Sequence, residues 1–145
     1  MQRLARFALS SLLVVLAVGC DSGASTDIVY ALDEVAPRPS PLVGWSTVSE
    51  LYDYPEFASR AGIDGAVRVS VEVDRDGMTR NVAVESSLND LLSEHATMTL
   101  RALAWEPGER DGDPVRVRGD VCVRYELEGA GAEAVGSSVF GWCGS

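Results

Sequence analysis

The run "GAVRVSVEV", Gly65 to Val73, constrains this chain more than any other stretch. Val67, Val69, Val71 and Val73 fall on one side of it, and Ala66, Arg68, Ser70 and Glu72 on the other. Strict period two is the mark of a β-strand buried on one face, because successive side chains point to opposite sides of a sheet. "DRDG", Asp74 to Gly77, follows at once, and Asp and Gly accept the backbone angles that a tight hairpin demands. The return strand is expected over Thr79–Glu85, with Val82 and Val84 facing inward. A second alternating run covers Val115–Leu127. There Val115, Val117, Val121, Val123, Tyr125 and Leu127 point one way, and Arg116, Arg118, Asp120, Cys122, Arg124 and Glu126 the other.

Between these runs the spacing changes. In "SSLNDLLSEHATMTLRALAW", Ser86 to Trp105, the residues Leu88, Leu92, Ala96, Thr99 and Leu103 form a helical stripe. Ser87 with Asp90 three places on fits a helix start. Upstream, Pro55 suits the first turn of a short helix that Gly62 would end. The order of short helix, strand, strand, long helix, strand predicts an α+β fold: a three-stranded antiparallel sheet packed against helices.

The first nineteen residues are of another kind. Arg3 and Arg6 precede the apolar run Phe7–Val18, twelve residues long. A membrane-spanning helix needs roughly 20, whereas a secretory signal centre has this length. The run closes in "LAVGC" and resembles a bacterial lipoprotein signal, in which Cys20 becomes the lipidated N-terminus. Ala17 departs from the leucine commonest three places before the cysteine, and an ordinary cleaved signal is the alternative. Four segments are therefore expected: a signal at 1–19, a lipid-anchored flexible tether at 20–41, a domain at 42–127, and a Gly/Ala-rich tail at 128–145. "APRPSP", Ala36 to Pro41, reads as the stiff end of the tether.

Loss of residues 1–19 removes two arginines, leaving ten against 22 acidic residues, a net charge of −12. Such a surface repels nucleic acid, so no nucleic-acid partner is expected. With Cys20 acylated, Cys122 and Cys143 remain as a pair in an oxidising compartment and are expected to form a disulfide. That bond would fold "SSVFGW" back over the sheet, near the edge of its last strand. His95 is the single histidine, which rules out a multi-histidine metal site. Asp74, Asp76 and Glu85 fall at three calcium-loop positions, but the glycine is misplaced and Met78 and Arg80 stand where oxygens are required. No metal, no cofactor and no catalytic residue is assigned. A Ser-His-Asp or Cys-His site would have to be built on His95 alone.

Six features in order resemble the C-terminal domain of TonB proteins, the periplasmic end of the energy transducers for outer-membrane receptors. They are "YP" at Tyr54 and Pro55, "GIDGAVRVSVEVDRDG", "NVAVESS", an Ala-containing helix ending at Trp105, "EPG" at Glu106–Gly108 and "GDPVRV" at Gly112–Val117. The likeness runs from about Pro41 to Leu127. In that family, as the resemblance implies, the last strand offers a free edge to which a receptor-derived peptide adds by β-augmentation. The corresponding residues here are Val115, Arg116, Val117, Arg118 and Arg124, the arginines facing an acidic partner or simply solvent.

The chain departs from a TonB transducer where force would enter, since its apolar segment is too short to span and no long spacer follows. Three readings stay open. One is a non-enzymatic, lipid-anchored envelope protein facing the periplasm, which binds an envelope protein or receptor-derived peptide as an accessory of transmembrane transport. Another is a structural module that forms a homodimer, and the third a transducer that borrows its motor. Asp21 resembles an inner-membrane retention signal of some lipoproteins, which leaves inner and outer membrane both open.

Overall fold

The computed structural model describes residues 28–129 and 134–144. The signal, Cys20 and the first part of the expected tether lie outside the described residues. The elements run β1 (Val29–Ala31), β2 (Ser40–Pro41), α1 (Trp45–Leu51), α2 (Glu56–Arg60), β3 (Gly65–Val73), β4 (Thr79–Ser87), α3 (Asp90–Ala102), β5 (Trp105–Glu106), β6 (Gly108–Arg110), β7 (Asp113–Glu128) and β8 (Val135–Trp142). A single 3-10 turn, Leu32–Glu34, follows β1.

The α+β class holds, but the sheet is mixed and has six strands, not three. Its spine is β1-β7-β3-β4, with β6 and β8 also paired to β7. The antiparallel trio β7-β3-β4 is the part that alternation predicts. The tail supplies β8, antiparallel to β7 from Val121↔Trp142 to Glu128↔Val135. β1 is parallel to β7, pairing Val29 to Ala31 with Arg116 to Arg118. Residues 28–41 are therefore not free tether: Val35, Pro39 and Pro41 are buried, and β2 pairs with β5. A segment of prolines and short strands carries too little periodicity to be told from a linker.

The valines of β3 and β7 form the floor of the core; Val69, Val71, Val73, Val121 and Val123 are wholly buried. α3 covers them with Leu92, Ala96, Thr99 and Leu100. It starts four residues later and ends three residues earlier than the helical spacing over Ser86–Trp105 suggests. Asn89 caps it by accepting from the Leu91 and Leu92 amides, and Leu88 lies outside it, almost fully exposed. A side-chain acceptor that satisfies orphan amides of the first turn sets where a helix starts better than an apolar stripe does.

Trp45, Trp105 and Trp142 close one end of the core, with ring centroids 5.5–5.7 Å apart. Each buried indole N–H finds an acceptor: Trp105 donates to Thr79 Oγ1 and Trp142 to the Pro39 carbonyl, both at 2.8 Å. The tail thus contributes to the core itself. Gly77 pins the hairpin turn to Trp105, whose amide donates to the Gly77 carbonyl at 2.9 Å. A Cβ on Gly77 would lie 2.0 Å from the Trp105 carbonyl oxygen, and its φ of +74° suits glycine alone.

Candidate functional site

β7 is the longest strand, and its alternation sorts its residues as expected. Val117, Val121, Val123 and Tyr125 face the core, while Arg116, Arg118, Cys122 and Arg124 lie on the opposite face. Its edge, however, is not free. β3 occupies one side along Val117–Tyr125, and on the other side β1 covers Arg116–Arg118 while β8 covers Val121–Glu128. Of the residues expected on an open edge, Arg116, Val117, Arg118 and Arg124 all stand opposite a strand of this same chain on that side. Val115 pairs with Gly108 of β6. The expectation of an unoccupied edge at β7 is corrected by the two short strands that sequence alternation does not reveal.

The arginines are also committed within the molecule. Arg116 and Arg118 both pair with Glu72, which is only 1% exposed although it lies on the face away from the valines. Arg118 donates to Glu72 Oε2 at 2.9 Å and Asn81 donates to the same oxygen at 3.0 Å. Burial pushes the Glu72 carboxyl up, but these hydrogen bonds and the Arg116 charge outweigh it and hold the group below the usual carboxylate range. Arg116 and Arg118 therefore balance a buried acid before they can serve a partner. Arg124 lies 3.7 Å from Glu126 in an exposed pair of small energetic weight.

The two strands on this edge of β7 are held very differently. β8 is tied by the Cys122–Cys143 disulfide, worth about 3 kcal/mol for a loop of this length. It also buries Phe140 and Trp142, each adding on the order of 2–3 kcal/mol. Ser49 Oγ and the Tyr52 carbonyl of the α1 end bind its outer side. β1 has three residues, and nothing from Ile28 to Glu34 is buried. The Arg110 guanidinium sits 4.8 Å over the Tyr30 ring and 3.7 Å from Glu34. Exposed contacts of these kinds are worth about 1 kcal/mol apiece or less. β8 is a fixed part of the sheet, and β1 is a lightly held one.

Between them, at Gly119 and Asp120, the edge is bridged by two contacts. Leu32 packs where a Gly119 side chain would be, since a Cβ there would lie 2.3 Å from Leu32 Cδ1. The Cys143 amide donates to the Asp120 carbonyl at 2.8 Å. A shallow groove runs beside this point, lined by Val29, Tyr30, Leu32, Arg68, Arg118 and Asp120. At the far side of the sheet, β4 pairs only with β3 among the described strands and leaves Val84 44% exposed. Val82 and Val84 do share the core-side register with Val71 and Val69, but β4 lies at the margin of the core and β-bulges interrupt its pairing.

The residues considered for other chemistry have structural surroundings. His95 Nδ1 lies 2.8 Å from the Tyr125 hydroxyl, which also donates weakly to the Leu92 carbonyl. Burial lowers the His95 pKa, opposed by the Asp53 charge, and burial raises that of Tyr125. Asp74 accepts from the Asp76 and Met78 amides and pairs with Arg80, so its carboxylate organises the hairpin turn. Among the described residues no cluster of three metal-ligating side chains occurs, and no helix is long and apolar enough to cross a membrane. The residues that sequence reasoning passed over are Tyr30, Leu32, Glu34 and Arg110. Alternating Tyr-x-Leu-x-Glu was their only signal, too short to stand out from a linker.

No curated protein and no solved structure matches the chain. The family model described as Gram-negative bacterial TonB protein C-terminal matches residues 51–127, from the end of α1 through nearly all of β7.

Proposed function

The chain belongs to the Gram-negative bacterial TonB protein C-terminal family, and from that premise we propose that it is a non-enzymatic envelope lipoprotein whose sheet binds a protein or peptide partner by strand addition. The family is one of non-catalytic protein-interaction domains of the Gram-negative envelope. Cys20 carries the lipid, and the domain faces the periplasm. The observation that carries the reading is the edge of β7 opposite β3, which accepts both a parallel strand and an antiparallel one. An edge that templates two unrelated segments of its own chain, one of them lightly held, has the backbone geometry to pair a partner strand in place of that one. Its role is that of an accessory to receptor-mediated transport.

The anchor restricts where such a partner can be. Residue 28 already lies in the described domain, so only seven residues separate Cys20 from it, at most about 28 Å of fully extended chain. The partner strand must therefore be presented close to the anchoring membrane. In vivo photocrosslinking from a residue beside β1, with Ile28 as the labelled site, tests this. Recovery of an envelope protein through an extended segment is the expected result. A map containing only other copies of the chain would overturn it.

That outcome would favour the second reading, a dimerising envelope module without a transport role. Its supporting observation is the outer edge of β4, which pairs with no further strand among the described residues and leaves Val84 exposed, an edge of the type that pairs with another sheet.

A further inference from the structure

We infer that residues 29–34, a short strand and the 3-10 turn after it, are an intramolecular ligand of β7, and that a partner peptide bearing the same spacing, aromatic–x–leucine–x–acid, exchanges with them. The inference rests on the strand-addition reading above and names the site and the chemistry of the incoming strand.

Every part of the receiving site belongs to the rest of the domain. The β7 edge at Arg116–Arg118 supplies the backbone pairing. Gly119 supplies a slot for a branched apolar side chain, filled by Leu32, that any larger residue at 119 would close. Arg110 supplies a guanidinium that meets an aromatic face and a carboxylate four residues apart, Tyr30 at 4.8 Å and Glu34 at 3.7 Å. Val29–Ala31 is extended and Leu32–Glu34 is a 3-10 turn, and this strand-and-turn shape brings Glu34 back to the guanidinium over Tyr30 while Leu32 fills the Gly119 slot. The segment that now fills the site therefore specifies what else fits it.

The point where release would stop is also defined. Val35 is the first buried residue after β1. From there the Ala36 amide donates to the Glu109 carbonyl at 2.8 Å, the Glu109 amide to the Pro37 carbonyl at 3.1 Å, and Trp142 holds the Pro39 carbonyl. Residues 28–34 can leave without disturbing that attachment, and β8 keeps the remainder of the edge covered. The exchangeable window is thus Arg116 to Gly119, since the Cys143 amide keeps the Asp120 carbonyl, and binding is weakened by the fraction of time β1 occupies it.

The test uses the full chain and a fluorescent peptide of the sequence of residues 28–35, with blocked ends. Anisotropy is recorded against the wild type and against a Tyr30→Ser/Leu32→Ser variant, whose own strand is loosened. The variant is expected to bind at least ten times more tightly than the wild type, and a further Arg110→Ala change is expected to remove most of that gain. Equal binding by both chains, or none by a variant whose thermal unfolding stays cooperative, would overturn the inference. If the variant does not fold, hydrogen exchange of the wild type decides. The β7 amides facing β1 should exchange at least ten times faster than those facing β8, and equal protection would overturn the proposal. Dimers of the variant without peptide binding would likewise overturn it, in favour of exchange between copies. Capture of an envelope protein with equal strength by wild type and variant would leave the partner-binding reading intact and remove β1 from it.

Discussion

Glu72 is placed by alternation on the solvent side of β3, yet it is among the most buried residues of the chain. Cross-strand neighbours account for this: Glu72 stands opposite Arg118 on β7, with Asn81 of β4 on its other flank, and their side chains roof it over. Alternation reports which way a side chain points, and says nothing of what stands beside it on the next strand. His95 gives a pH prediction. Burial lowers its folded pKa, so above the unfolded value of about 6.5 both states are neutral and its contribution is fully present. As pH falls through 6.5 and on through the folded pKa, the unfolded chain binds a proton that the folded one refuses, and stability drops. Thermal unfolding should therefore weaken between pH 7.5 and 5.5, and His95→Gln should flatten that slope while keeping a partner for Tyr125. Gly77→Ala is expected to cost of the order of 3 kcal/mol by denaturant titration. It combines positive φ with a clash against the Trp105 carbonyl.

At the scale of elements, β3, its turn, α3 and β7 are legible in the sequence because each repeats its pattern over many residues. β8 and β1 are not. "VGSSVFGW" alternates, but two glycines and two serines dilute the pattern, and burial there depends on Phe140 and Trp142 meeting a core built by other elements. β1 has three residues, below the length at which any periodicity can register. The paired cysteines were the one signal that the tail returns to the sheet, and the bond joins the end of β8 to β7. Cys143→Ser should lower the unfolding free energy by about 3 kcal/mol, and a reducing agent should bring the wild type to the same value. Circular dichroism is expected to retain the strand signal in both cases, since Phe140 and Trp142 stay buried. Loss of the β8 contribution on reduction alone would contradict the view that the tail is held by packing as well as by its bond.

For the whole molecule, the main change from the sequence reading is where the domain begins. The expected tether ended at Pro41, but the described fold already includes residue 28. The proposed lipid on Cys20 would then hold the sheet within about 28 Å of the bilayer, with β1 as the first described strand. Cys20→Ser is expected to move the chain from the membrane to the soluble fraction of the envelope without changing its thermal unfolding, because the first buried described residue, Val35, lies fifteen positions further along the chain. Membrane fractionation with the wild type alongside checks this, and identifies which membrane holds it. The sequence by itself determined the family, the α+β class, the central hairpin and the inward valines. These follow from local periodicity and from turn residues, which act over neighbouring positions. Only the tertiary structure decided that β7 has a neighbour on each side, that Glu72 claims Arg116 and Arg118, and that the first and last described strands, β1 and β8, meet at one edge. Those facts depend on contacts between residues up to a hundred positions apart, such as Trp142 with the Pro39 carbonyl. Pairing at such distances is set by which surfaces remain open once the core has formed.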